Sequence, residues 1–226
     1  MEPIGLLGGS FDPIHVGHLQ LARDALANLP IAEVHFLPAA QPWQKEDLTP
    51  AEHRAQMLRL AIDNELPFTR RRMIVDLAEV ERGGPTYTID TLREMRARLG
   101  PDVPLVLIMG ADQFERFDTW REWERIPELA HIAVARRAAA PPHLNPVLQK
   151  LRDSRYLKYP GDLAESPAGQ VVDLAMTPVD VSATEVRRLL GQIRSPAEEA
   201  RLTTSVPPPV LDYIQAHHLY AGPHGH

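Results

Sequence analysis

The chain contains no cysteine. Disulfides, thiolate metal ligands and a cysteine nucleophile are therefore excluded. No apolar run approaches the roughly 18 residues of a membrane-spanning helix. The opening Met1-Glu2-Pro3-Ile4-Gly5 lacks the basic start and long apolar stretch of a secretion signal. Positive charge is also short: 24 Lys and Arg against 30 Asp and Glu leave a formal net charge of −6. Proteins that bind nucleic acid through its phosphates carry a basic excess. Neither nucleic acid nor a membrane is thus an expected partner, and any bound phosphate must be gripped locally by a few aimed groups. A cytoplasmic enzyme fits these absences, as a monomer or a homo-oligomer.

What is present suits a packed core. The 226 residues are 44% hydrophobic, enough for one good-sized α/β domain spanning the whole chain. The 22 prolines imply many short connections, some of them ordered loops near a site.

Ile4 to Leu7 is a short apolar run ending at Gly8-Gly9, the pattern of a buried parallel strand. Leu19, Ala22, Leu26 and Leu29 recur at helical spacing, which predicts a helix from about His18. Val34 to Leu37 reads as the next strand, closing a βαβ unit. After a loop over Pro38 to Thr49, the run Thr49-Pro50-Ala51-Glu52 predicts a capped helix, with Ala51, Ala55, Leu58 and Ile62 as its apolar stripe. Met73–Leu77, Val103–Met109, His131–Ala135 and Val171–Ala175 read as further strands. Helices are expected near Thr88–Leu99, Ser182–Leu190, after the capping box at Ser195, and over Val210–His217, with short helical structure over Phe114–Arg125. Ala138 to Pro146 reads as a flexible Ala/Pro connection. Alternation of this kind predicts a Rossmann-like, doubly wound, mainly parallel sheet with helices on both faces. Ligands bind such sheets beyond the carboxyl ends of the strands. Attention therefore falls after Leu7, after Met109 and after Ala175.

The first of these places reads Gly8-Gly9-Ser10-Phe11-Asp12-Pro13-Ile14-His15-Val16-Gly17-His18. Two glycines let backbone amides approach a ligand. His15 and His18 sit three apart at a helix start, where free N–H groups and the helix dipole favour an anion. Two imidazoles there can donate to phosphate oxygens. The spacing fits neither G-x-G-x-x-G nor the P-loop, which weakens a dehydrogenase reading. Zinc would need a third ligand that this segment does not offer.

GGSFDPIHVGH resembles the signature of the HxGH nucleotidyltransferase superfamily, with His15-Val16-Gly17-His18 as its namesake element. The resemblance implies that both histidines contact the phosphates of ATP, in a pocket that includes Gly8, Gly9, Ser10 and Phe11. Val181-Ser182-Ala183-Thr184-Glu185-Val186-Arg187 resembles the second motif, ISxTxxR, with Val for Ile. Its own chemistry agrees. Ser182 can cap a helix whose amides face an anion, Thr184 follows, and the Arg187 fork can hold two phosphate oxygens. A plain capped surface helix with a solvated arginine is the competing interpretation. The C-terminal helical part, about 182–220, would then complete the ATP site. Lys45 occupies a loop where relatives carry a basic residue that reaches the phosphates, although Trp43-Gln44 departs from their Pro-Pro-His-Lys-like pattern.

Three further blocks resemble the branch of that superfamily that acts on nicotinate mononucleotide: Pro85-Thr86-Tyr87-Thr88, Gly110-Ala111-Asp112 and Phe117-Asp118-Thr119-Trp120. A pyridine ring needs a flat apolar partner, which Trp120 can supply unless it packs in the core. A helix opening at Thr88 offers amides to the nicotinate carboxylate. The resemblance assigns that contact also to Arg121, where relatives often have an aromatic residue. Arg121 either strengthens carboxylate binding or is solvated. Asp112, after a strand, can accept from ribose hydroxyls of either nucleotide, or cap a helix. The implied activity is adenylyl transfer from ATP to nicotinate mononucleotide in NAD biosynthesis, with Mg²⁺ arriving on ATP. Transfer to nicotinamide mononucleotide and a non-catalytic nucleotide sensor are the alternatives. The histidine-rich end (His217, His218, His224, His226) reads as a frayed tail or an adventitious metal binder.

Overall fold

The computed structural model describes residues 1–42, 48–136, 143–192 and 194–221. Lys45, Trp43 and Gln44 lie outside the described residues, as do His224, His226 and most of the Ala/Pro connection.

The elements follow in chain order: β1 (Ile4–Gly9), α1 (Val16–Asn28), β2 (Glu33–Pro38), β3 (Gln41–Pro42), α2 (Ala51–Asp63), α3 (Pro67–Arg70) and β4 (Met73–Val75). Then come α4 (Ala78–Arg82), β5 (Pro85–Thr86), α5 (Thr88–Leu99), β6 (Leu105–Gly110), α6 (Ala111–Phe114), α7 (Ile126–Leu129) and β7 (His131–Arg136). The chain continues through α8 (Pro146–Arg155), β8 (Val171–Ala175), α9 (Ala183–Leu190), α10 (Pro196–Ser205) and α11 (Pro208–Ala216).

Six strands form one parallel sheet in the order β4-β2-β1-β6-β7-β8. The chain winds outward one way from β1 and then returns to build the other half from β6. The order therefore switches between β1 and β6, where two strand ends diverge and leave a crevice. The central strands β1, β6 and β7 are largely buried on both faces, which is why they read as near-continuous apolar runs. Successive residues point to opposite sides. Leu7, Val106 and Ile108 pack with α1, α2 and the C-terminal helices, whereas Leu6, Leu105, Leu107 and Met109 pack with α5, Phe114 and Phe117.

Several local expectations change. Helix α1 starts at Val16 with His15 as its N-cap, so His18 lies inside the first turn. Thr49 does not cap α2: Pro50 is the N-cap and no side-chain cap bond forms. Thr49 instead uses its main chain, donating its N–H to Asp12 and accepting from Arg54. Of the two later boxes, the Ser195–Glu198 pair closes reciprocally. At Ser182 only half forms: Ser182 Oγ accepts from the Glu185 N–H at 3.2 Å, while the Glu185 carboxylate turns to Arg188. Strand β6 begins at Leu105 rather than Val103, and the chain leaves β4 after Val75. Helices α4 and α8 were not expected. The first is too short to show a helical period; the second is set by Asn145, which caps it through the Val147 and Leu148 N–H groups, with Pro146 at its first position.

Candidate active site

The turn after β1 carries the first motif. Its backbone is sharply folded: the Asp12–Pro13 peptide is cis, and Phe11 has φ +47°. The Phe11 ring is buried and packs on Phe36 and edge-on against His18, 5.1 Å between centroids. His15 and His18 stack face to face, 3.7 Å apart with planes 24° from parallel. His18 Nδ1 accepts a long 3.4 Å hydrogen bond from the His15 N–H. The pair thus forms a single plate at the start of α1, where the helix dipole is positive.

The second motif meets the first directly. A Cβ on Gly17 would lie 2.9 Å from the Val181 side chain and 3.1 Å from the His15 ring. Only a residue without a side chain lets the two segments close. Ser182 caps α9, and one turn along Arg187 Nη1 donates to the carbonyl oxygen of Asp12 at 2.6 Å. Thr184 is exposed on the same first turn. Two helix starts, 167 positions apart at His15 and Ser182, are thereby joined.

Asp12 is the hub of this junction. It is buried, and its carboxylate accepts from the Tyr220 hydroxyl at 2.5 Å and from the Thr49 N–H at 3.4 Å. Burial first, and the facing carboxylate second, push the Tyr220 phenol far above its usual range, so it stays a donor. Arg54, also buried, donates to the carbonyls of Ser10, Ala39 and Thr49, each at 2.7 Å. Burial lowers its pKa while Asp12 pulls the other way. One guanidinium so satisfies carbonyls of three loops that no sheet or helix could reach.

A cavity opens beside this junction, at the carboxyl ends of β1, β2 and β6. Gly8, Gly9 and Ser10 form one wall, Thr86 to Thr88 and Glu79 another, and Trp120 and Arg121 a third. Thr88 is the first residue of α5 and lines this space, so the positive end of that helix borders the cavity. Trp120 is half-buried: it lines the cavity and also packs against Phe117 at 5.4 Å. Arg121 is neither free nor buried; its guanidinium lies 4.8 Å over the Tyr87 ring and 3.7 Å from Asp90. Gly110 ends β6, and Asp112 follows in the short α6. Asp112 is not the cap of that helix, because Gly110 holds the N-cap position and its N–H donates to Gln113. The exposed Asp112 carboxylate instead folds over Gly110, 2.5 Å from where a Cβ would sit.

Glu79 is buried at this cavity, with Oε1 accepting from the Thr91 hydroxyl at 2.6 Å. Burial pushes its carboxyl up to about 7, against the smaller opposing pulls of Thr91 and Arg82. Sequence reasoning missed Glu79, Asp12, Arg54 and Tyr220. Glu79 belongs to a charged run, Glu79-Val80-Glu81-Arg82, that reads as a solvated face. Arg54 did carry a signal, since it falls at helical spacing from Ala51 and Leu58 on the apolar stripe.

A parallel sheet with a switch point, two helix starts joined there, and a flanking cavity define a nucleotide-binding α/β protein of the cytidylyltransferase-like class. A family profile of that description matches residues 6–189. A probable nicotinate-nucleotide adenylyltransferase of Dechloromonas aromatica is 41% identical over 224 residues, covering 97% of this chain and 98% of its own. One from Pseudomonas aeruginosa is 39% identical, covering 98% of both. The chain belongs to the nicotinate-nucleotide adenylyltransferase family. Its fold is shared with the nicotinic acid mononucleotide adenylyltransferase of Plasmodium falciparum, solved in complex with NaAD, at a TM-score of 0.75 and 21% identity over 97% of this chain and 98% of that one.

Proposed function

We propose that this chain transfers the adenylyl group of ATP to nicotinate mononucleotide, forming nicotinate adenine dinucleotide and pyrophosphate in NAD biosynthesis. The observation that carries the reading is the bond from Arg187 to the Asp12 carbonyl, which brings both phosphate-binding motifs to the switch point of the sheet. The 5′-phosphate oxygen of the mononucleotide attacks the α-phosphorus of ATP in line. A new P–O bond forms as the bond to the β-phosphate breaks, and pyrophosphate leaves with that electron pair. The attacking phosphate is already largely ionised near neutral pH, so no protein base is required. Positioning and charge neutralisation then lower the barrier.

In this reading the ATP phosphates lie against His15, His18 and Arg187, with Lys45 reaching in from its loop. Gly8, Gly9, Ser10, Phe11, Gly110, Asp112, Ser182 and Thr184 complete the ATP site. Thr88 and Arg121 hold the nicotinate carboxylate, Trp120 stacks on the ring, and Asp112 takes ribose hydroxyls. Among the described residues no group of three or more His, Asp or Glu stands ready to hold a metal ion. The donors present fit phosphate oxygens, so Mg²⁺ would arrive on the nucleotide and would supply charge neutralisation there, beside His15, His18 and Arg187. We take residues 1–226 as one domain, the segment about 182–220 completing the ATP site, and place it in the cytoplasm. Among the described residues no helix is long and apolar enough to cross a membrane.

Incubation with ATP, Mg²⁺ and each mononucleotide, with products identified by mass, tests this. Nicotinate adenine dinucleotide and pyrophosphate are expected. Product from the amide alone would reassign the acceptor, and binding without pyrophosphate release would mark a sensor.

A further inference from the structure

We infer that Glu79 is a specificity-determining residue that reads the substituent on the acceptor's pyridine ring, accepting a carboxylate when protonated and a carboxamide when ionised. The inference rests on the acceptor assignment above and deepens it.

The geometry comes first. Glu79 is 5% exposed, yet it lines the same cavity as Thr88, Trp120 and Arg121. Thr91 of α5 donates to its Oε1, and Arg82 Nη2 donates in turn to the Thr91 hydroxyl at 3.0 Å. Among the described residues, no other protein hydrogen bond is made by the Glu79 carboxyl. Arg82 spends its charge on Glu94, at 2.6 Å, rather than on Glu79. Asp76 adds negative charge from the segment before α4, and it is itself engaged by His35 and Arg98. Arg121, across the cavity, is drawn to Asp90 and the Tyr87 ring. Among the described residues no cation pairs with Glu79, and burial, joined by Glu94 and Asp76, opposes its ionisation more than the Thr91 and Arg82 contacts favour it. Burial with that repulsion places its titration near neutrality, where both forms are populated.

The chemistry follows from donor counts. An ionised carboxyl has only acceptors. It would face a nicotinate carboxylate with repulsion in a poorly solvated space, but would accept from the NH₂ of a carboxamide. A protonated carboxyl has one donor to offer a carboxylate, through a short charge-assisted bond. The proton on Glu79 thus weights the cavity toward the acid, and its loss toward the amide, on top of the Thr88 and Arg121 contacts. Proton uptake accompanies binding of the acid, and proton release accompanies binding of the amide.

The ratio of the two acceptors isolates this residue. Both mononucleotides share one 5′-phosphate and meet the same histidines, so those titrations cancel in the ratio. Affinities for nicotinate and nicotinamide mononucleotide are measured by calorimetry from pH 6 to pH 8, together with kcat/KM for each. The acid-to-amide ratio should fall at least about tenfold over that range, as one titration centred near 7 requires. In Glu79→Gln, which keeps an acceptor for Thr91 but cannot ionise, the ratio should not change with pH. A flat ratio in the native chain, or an equal fall in the glutamine variant, overturns the inference. The native profile decides even if the variant folds poorly. Binding of both mononucleotides without turnover would count against the reaction proposed above, while the binding ratio still judges Glu79.

Discussion

Arg187 and Asp12 are 175 positions apart, yet the guanidinium of one donates to the carbonyl oxygen of the other at 2.6 Å. The bond runs from the side chain of the second motif to the backbone of the first. It fixes the distance between two helix starts, whose dipoles favour phosphate. Among the described residues this is the hydrogen bond that uses Nη1, leaving the rest of the fork to a ligand. Substituting Lys would keep the charge but not the fork geometry. Arg187→Lys is therefore expected to lower kcat at least tenfold under saturating ATP, as steady-state pyrophosphate release would show. Native-like kcat would detach Arg187 from catalysis.

His18→Ala removes one half of the stacked imidazole plate. Loss of a group that stabilises transition-state charge costs about 10²-fold or more in kcat. His18 is half-buried and its Nδ1 bond is long, so the denaturation midpoint should move little. Comparison of kcat and midpoint in the same preparation separates catalysis from folding. Turnover close to native would remove His18 from the mechanism.

Trp120 both lines the cavity proposed for the acceptor and packs against Phe117. Trp120→Ala should raise KM for the mononucleotide about tenfold or more, the scale of one lost aromatic contact. KM for ATP should stay near native. An equal rise for both substrates would mean that packing against Phe117 is its main role.

Tyr220→Phe keeps the buried ring and deletes only the hydroxyl that donates to Asp12. Leaving a buried carboxylate short of one donor costs about 1–3 kcal/mol. Urea titration should show that loss, with no change in m-value. A stability equal to native would mean that the bond contributes nothing net.

Stability should also depend on His35. Burial alone would lower its pKa, but hydrogen bonds from its ring to Asp76 and Glu33 raise it overall. A raised pKa in the folded state adds stability that is complete below about 6.5 and fades as pH rises through the folded value. Asp76 has the opposite sign: His35 and Arg98 outweigh burial and hold it well below the usual carboxylate range. Its contribution is present above about 4 and is lost in acid. His35→Gln should thus lower Tm most near pH 5.5 and least near pH 9. A pH-independent Tm difference would show that the imidazole works by packing rather than charge.

Much of this was written in local patterns. The central strands stand out because parallel strands buried on both faces read as near-continuous apolar runs. Both phosphate motifs are short, contiguous and built on Gly, Ser and His at helix starts, so their spacing is readable without a fold. Boundaries were less legible. Thr49 has the sequence of a cap, but its main chain is drawn away by Asp12 and Arg54, and tertiary bonds overrode the local preference. Arg121 left two options open, a carboxylate contact or a solvated side chain, and the fold adds a stack on Tyr87 with Asp90 alongside that the sequence did not show.

The sequence by itself determined the layered α/β plan, the two helix starts read as anion sites and the aromatic candidate for a pyridine ring, because each depends on neighbours within a turn or two of chain. The tertiary structure alone decided which of them share a crevice. Gly17 beneath Val181, Tyr220 on Asp12 and Arg54 across three loops are contacts between segments distant in the chain, set by how the sheet winds about β1. It also decided that one glutamate in a run of charges is buried, since burial belongs to the packed fold and not to the residue.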